Sequence, residues 1–151
     1  MEKILSILKS VPEYGQLLAA LAKDKTTAVT GIGQINRSHM IAALHREQNR
    51  PMVVICQDDM AAKRLQEELK SLLGAVAPIL PSRDLTLYDA AVVSRAWEQK
   101  RLRQLYDLAC GRTPLQIFSW ESLSQRTMPR AVLLGAAFQL ETGKEYRAFP
   151  V

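Results

Sequence analysis

Two periods of apolar residues divide the chain. Residues 1–9 and 13–24 read as helices, the second carrying Leu17, Leu18, Leu21 and Ala22 at helical spacing. Residues 26–31 form a short β-prone run that enters a glycine pair. A helical pattern follows from about residue 37 to 48, with Met40, Ile41 and Leu44 on one face. After Pro51, residues 52–56 are continuously apolar, as suits a strand buried on both faces. Asp58 is placed to cap a long helix whose stripe is Ala61, Leu65, Leu69, Leu72 and Leu73, and Gly74 ends it. Residues 76–80 predict a third strand, and 81–93 a loop with a small apolar turn around Tyr88. A helix is expected from about 94 to 110, with Trp97, Leu102, Leu105, Tyr106 and Ala109 facing inward. Gly111 stops it and Pro114 prevents its restart. Residues 115–119 make a fourth strand, and 120–126 a short helix capped by Ser119.

This β-α-β-α-β-α-β-α alternation predicts an α/β fold: a mostly parallel sheet with right-handed crossovers and helices on both faces, in three layers. After Pro129 the pattern changes. Residues 137–141 alternate weakly, and Gly143 turns into 146–151. The expected division is a first domain over 1–130 and the opening of a second over 131–151.

Composition narrows the class. The chain has 151 residues, 48% apolar and 23% charged, which is ordinary for a globular domain and excludes a disordered one. Net charge is +5, which permits nucleic-acid contact without requiring it. His39 and His45 do not share a helix face and have no Cys/His cluster beside them, so no metal is expected. Cys56 and Cys110 read as free thiols of a reducing compartment. No stretch approaches the roughly 20 apolar residues of a membrane span. A cytoplasmic protein is expected.

The most informative segment is Ala28-Val29-Thr30-Gly31-Ile32-Gly33-Gln34-Ile35, between the first expected strand and a helix. A P-loop occupies that place and reads G-x-x-x-x-G-K-[ST]. Here its first glycine is Ala28, its last glycine is kept as Gly33, its lysine is Gln34 and its hydroxyl residue is Ile35. The lysine brings positive charge to the β- and γ-phosphates, and the hydroxyl ligates magnesium; an amide and a branched hydrocarbon do neither. What remains is a helix N-terminus, worth about 0.3–1 kcal/mol to an anion. A degenerate nucleotide loop is expected, with no cofactor and no catalytic residue.

Read together, these pieces resemble the N-terminal module of the bacterial transcription-repair coupling factor family, Mfd, which is similar to the first domain of the excision-repair protein UvrB. UvrB's loop reads G-V-T-G-S-G-K-T, and the Mfd loop is degenerate as here. The family segment F-P-D-W-E-T-L-P-Y-D, followed by R-L, is echoed by Pro81, Asp84, Tyr88, Asp89 and Arg101-Leu102; the chain departs from it at Arg83, Leu85, Thr86 and Leu87. Ser119, Ser122-Leu123 and Gln125-Arg126 follow the pattern S-x-x-L-x-Q-R, and residues 138–144 resemble the strand leading into the UvrA-binding domain. UvrB itself fits less well, because few residues separate Tyr88 from the next helix and its DNA-clamping hairpin has no room. The resemblance implies a P-loop, RecA-like fold and a non-catalytic scaffold. Its implied partners are the rest of a parent chain and UvrA through the following domain. RNA polymerase and DNA would be met through parent domains. The alternative is a nucleotide- and DNA-binding fragment of a helicase-like ATPase such as UvrB.

Other candidates have simpler explanations. Asp58 ends an apolar strand as a magnesium-binding aspartate would, but a helix cap accounts for it. Gln16 echoes an adenine-reading glutamine, and a surface helix position accounts for it. Arg95, Lys100, Arg101 and Arg103 cluster on one helix and are the candidate nucleic-acid contacts. Four cations fall short of the six or more phosphate contacts typical of tight non-specific binding, so a solvated face is the competing reading. Trp97 and Tyr106 lie on the apolar stripe, which favours packing over base stacking.

Overall fold

The computed structural model describes residues 7–48, 50–82, 95–138 and 142–144. A 3₁₀ turn at Leu8–Ser10 leads into helix α1, Pro12–Leu21, which has proline at its first position and buries Tyr14 and Leu17. Helix α2 runs from Gln34–Gln48, strand β1 from Met52–Cys56 and helix α3 from Asp59–Leu73. Helix α4 is Arg95–Ala109, strand β2 Leu115–Ser119, helix α5 Trp120–Ser124 and helix α6 Arg130–Ala136.

Local chemistry fixes the ends of α3. Asp58 is extended, and its carboxylate accepts from the Ala61 amide at 2.7 Å, satisfying one of the four free N–H groups of the first turn. At the other end Gly74 adopts φ 74°, which a side chain would resist, and its amide donates to the Lys70 carbonyl at 2.9 Å. Ser119 and Ser122 form a reciprocal box at the start of α5, each hydroxyl accepting from the other's amide at 3.1 Å.

The two strands pair in parallel, Met52 beside Leu115 through Cys56 beside Ser119. On the far side of β2 a single parallel bridge joins Ile79 to Ile117, with Leu80 N–H donating to the Ile117 carbonyl at 3.0 Å and Ile117 N–H to the Pro78 carbonyl at 2.9 Å. Alternation along a strand sends Met52, Val54, Cys56, Leu115 and Ile117 to one face. There they pack with Ala42 and Ala43 of α2 and Ala62, Leu69 and Leu72 of α3. Alanines on both helices let α2 and α3 approach closely over this core.

The mixed α/β class holds, but the sheet is smaller than expected. Of four expected strands, two form among the described residues. Residues 26–31 make no strand: their threonines and Val29 are exposed, and β propensity does not hold a backbone extended without a partner ladder. Residues 76–80 shrink to the bridge at Ile79, since Pro78 has no amide to extend the ladder. Nor is β1 buried on both faces; Val53 and Ile55 are 53% and 58% exposed. A three-layer arrangement is therefore not what the described residues display.

Smaller differences follow the same logic. Helix α2 starts at Gln34 rather than near 37, and its fully buried positions are Ser38, Ala42 and Ala43, with Met40, Ile41 and Leu44 only partly covered. On α4 Leu102 faces solvent and Arg101 is buried. Helix α6 was not foreseen in the segment after Pro129. It packs on α4, and Arg130 donates to the Ala109 carbonyl from Nε at 3.2 Å and Nη2 at 3.0 Å. Helix α6 begins at Arg130, beside the expected boundary at 130/131. The expected helix at 1–6, the Tyr88 turn and the segments 139–141 and 146–151 lie outside the described residues.

Candidate functional site

The nucleotide-loop positions lead directly into α2. Gly31 takes φ 77°, the left-handed region in which glycine carries no side-chain penalty, and Gly33 immediately precedes the helix. Its carbonyl accepts from the Asn36 amide at 3.0 Å, closing the first turn. Gln34 and Ile35 are the first two helical residues and both face solvent; Ile35 is 77% exposed. Ala28 is exposed as well. The backbone turn into a helix is thus in place, while the side chains it presents are an amide and a hydrocarbon. Within α2 the Ile35 carbonyl also accepts from the Ser38 hydroxyl at 3.2 Å and lies 3.1 Å from His39 Nδ1.

The basic residues of α4 separate into two kinds. Arg95, Lys100 and Arg103 are exposed. The Arg103 side chain is 81% exposed and lies 3.5 Å from the Asp107 carboxylate, a surface pair of small energetic weight. Arg101 is 5% exposed. Its Nη1 donates to the Pro81 carbonyl at 2.7 Å and its Nη2 to the Ser122 carbonyl at 3.0 Å, and the guanidinium lies 5.9 Å from the Trp97 ring centroid. Burial pushes the guanidinium down from its ordinary value, yet an arginine stays charged in a protein. Arg101 is therefore a tie between α4, the 78–82 segment and α5, and it leaves three of the four cations exposed.

Asp58 is committed to its cap, and Gln16 is exposed on α1. Cys56 and Cys110 are unpaired; burial, then the Asp58 charge, pushes the Cys56 thiol above its ordinary value. Among the described residues no group of three or more His, Cys, Asp or Glu side chains is placed to hold a metal ion. Among them, too, no helix is long and apolar enough to cross a membrane.

Helices α3 and α4 flank a groove of about 550 Å³ floored by the chain at Val76, Pro78, Ile79, Leu80, Pro81 and Ser82. Asp59, Lys63 and Gln66 come from α3, and Trp97, Lys100 and Gln104 from α4. Spacings of three and four residues put each trio on one helix face. Ser82 closes one end, its hydroxyl donating to Asp59 Oδ2 and its carbonyl accepting from Trp97 Nε1 at 2.7 Å. Asp59 Oδ1 and Gln104 Oε1 are buried without a hydrogen-bond partner. Such acceptors cost about 1–3 kcal/mol each when left unmet. The helical spacing was readable, but nothing in the sequence says that the two faces meet.

Two known proteins are similar to this chain over most of its length. A transcription-repair-coupling factor of Myxococcus xanthus is 27% identical over 141 residues, covering 88% of this chain. One of Bacillus subtilis strain 168 is 22% identical over 147 residues, covering 96% of it. In both cases the chain spans 12% of the relative's length. No family model matches the chain, and no solved structure does.

Proposed function

We propose that this chain, which matches transcription-repair-coupling factors over most of its length, is a non-catalytic scaffold module of transcription-coupled nucleotide excision repair. In this reading it is a UvrB-like domain whose nucleotide loop is vestigial. It acts by packing against the rest of a parent chain and holding the following domain where UvrA can be recruited. RNA polymerase and DNA are partners of the parent, and the exposed Arg95, Lys100 and Arg103 are a minor electrostatic face at most.

The observation that carries the reading is the pair at the start of α2. Gln34 and Ile35 stand at a helix N-terminus, after a left-handed Gly31, where phosphate binding would require a cation and a magnesium-binding hydroxyl. The likeness to the two coupling factors supports the repair context.

Calorimetric titration with ATP and magnesium is the test. No heat of binding and no thermal shift are expected up to millimolar nucleotide. Micromolar affinity, or a thermal shift that depends on magnesium, would replace the scaffold with the ATPase-fragment reading.

A further inference from the structure

We infer that the groove between α3 and α4 takes an extended protein segment carrying two adjacent acidic residues. The groove shares no lining residue with the nucleotide-loop positions, so this binding stands or falls apart from the scaffold role.

The floor supplies a strand edge. In the bridge to Ile117, Pro78 offers its carbonyl and Leu80 its amide to β2, so the N–H and C=O of Ile79 between them point away from β2. Ile79 lines the groove and no residue of β2 does, which puts the groove on that outer edge. Among the described residues neither polar group of the Ile79 backbone has a partner. The neighbouring carbonyls are taken, that of Ala77 by Gln66 Nε2 and that of Pro81 by Arg101 Nη1. An unpaired edge residue of this kind offers a backbone pair to an added strand. Val76, 58% exposed, gives apolar neighbours in such a strand a surface to cover.

The walls supply the charge. Lys63 of α3 and Lys100 of α4 line the groove from its two flanking helices, and both are exposed. Neither is ion-paired among the described residues. Among those residues Asp59 is the one acid in the lining, and its Oδ2 already accepts from the Ser82 hydroxyl. Two free cations against one engaged carboxylate make the groove complementary to an acidic occupant.

Edge and charge together specify a spacing. Successive side chains of a strand point to opposite faces. A strand laid along Ile79 therefore directs one side chain toward α3 and the next toward α4. Adjacent acidic residues each meet a lysine, whereas acids two apart share a face and leave one lysine unmet. A nucleic-acid strand suits the groove less well. Two cations fall short of the roughly six phosphate contacts of tight non-specific binding, and phosphates carry no donor for the Ile79 carbonyl.

The test uses the full chain with Trp120→Phe, an exposed position, which leaves Trp97 in the groove wall as the sole tryptophan. Its emission is followed at low salt as the peptides Thr-Val-Glu-Glu-Val-Thr, Thr-Glu-Val-Glu-Val-Thr and Thr-Val-Gln-Gln-Val-Thr are added. The first is expected to bind about tenfold tighter than the neutral peptide and about threefold tighter than the one with spaced acids. With Lys63→Gln or Lys100→Gln alone, adjacent and spaced acids should bind alike. In the double variant Lys63→Glu with Lys100→Glu, the neutral peptide should become the tighter ligand. Equal binding of adjacent and spaced acids to the chain with both lysines would overturn the proposal. So would an unchanged emission at millimolar peptide, displacement of the acidic peptide by an equal concentration of oligothymidylate, or an unchanged order in a charge-reversed variant of unaltered melting temperature.

Discussion

Strands β1 and β2 lie side by side in register, yet their burial runs against their hydrophobicity. Met52-Val53-Val54-Ile55-Cys56 is wholly apolar and exposes alternate residues. Leu115-Gln116-Ile117-Phe118-Ser119 carries two polar residues and is buried throughout. The difference lies in what surrounds each strand. Strand β2 has β1 on one edge and Ile79 on the other, and its polar side chains find partners there: Gln116 Nε2 donates to the Pro78 carbonyl at 2.9 Å, although Gln116 Oε1 is buried without one, and Ser119 enters the box with Ser122. On β1 the face toward α3 is packed, while the face bearing Val53 and Ile55 meets no comparable cover among the described residues. Position in the sheet, with hydrogen-bond partners in reach, decides burial here; side-chain hydrophobicity alone does not.

The sharpest way to break that comparison is to truncate the same residue type on each strand. Ile117 has no exposed surface and sits in the main core, so Ile117→Ala should lose about 2–5 kcal/mol, the transfer term plus a cavity. Ile55→Ala, at the more apolar strand, should stay within about 0.5 kcal/mol. Urea unfolding of both variants measures the gap. Similar losses would mean that the outer face of β1 is covered in solution.

The next effect concerns what seals β2 at its C-terminal end. Arg101 reaches the Ser122 carbonyl beyond the cap and the Pro81 carbonyl beyond the bridge. Hydrogen bonds from a charged donor contribute about 1.5–3 kcal/mol, so Arg101→Met should cost about 2–3 kcal/mol despite keeping an apolar stem. Arg103→Met, two residues along and exposed, should change stability by less than about 0.5 kcal/mol. A thermal melt of the pair tests whether the basic helix face contains one structural arginine or none.

These contrasts also mark what the sequence could reveal. Helix α3 was legible because its signals are local: a carboxylate three residues before the amide it accepts from, and a glycine where the backbone turns left-handed. The Ser119 cap was legible for the same reason. Arg101 was not, because its acceptors lie 20 and 21 residues away and only the fold brings them together. Residues 26–31 have strand composition, but composition names no partner for their amides. The loop substitutions at Gln34 and Ile35 were readable letter by letter, whereas the α3–α4 groove depends on three separate segments meeting and left no signature in any one of them.

The smallest expected effect tests the two faces of β1 against each other. Cys56 points to the covered face and is partly buried, and its thiol is raised above the usual value of 9.0, first by burial and then by the Asp58 charge. The folded chain therefore holds this proton more tightly than the unfolded chain. Its contribution to stability is intact below pH 9.0 and is lost as pH rises from there through the folded value. Unfolding free energies measured from pH 7 to 10.5 should fall in that upper window. In Cys56→Ala the curve should be offset by the lost packing but flatter above pH 9. Val53→Ala, on the open face, should leave the slope as it is. If the Cys56→Ala curve kept the full alkaline slope, the covered face would exert no measurable hold on the thiol. The contrast between the two faces would then rest on packing alone.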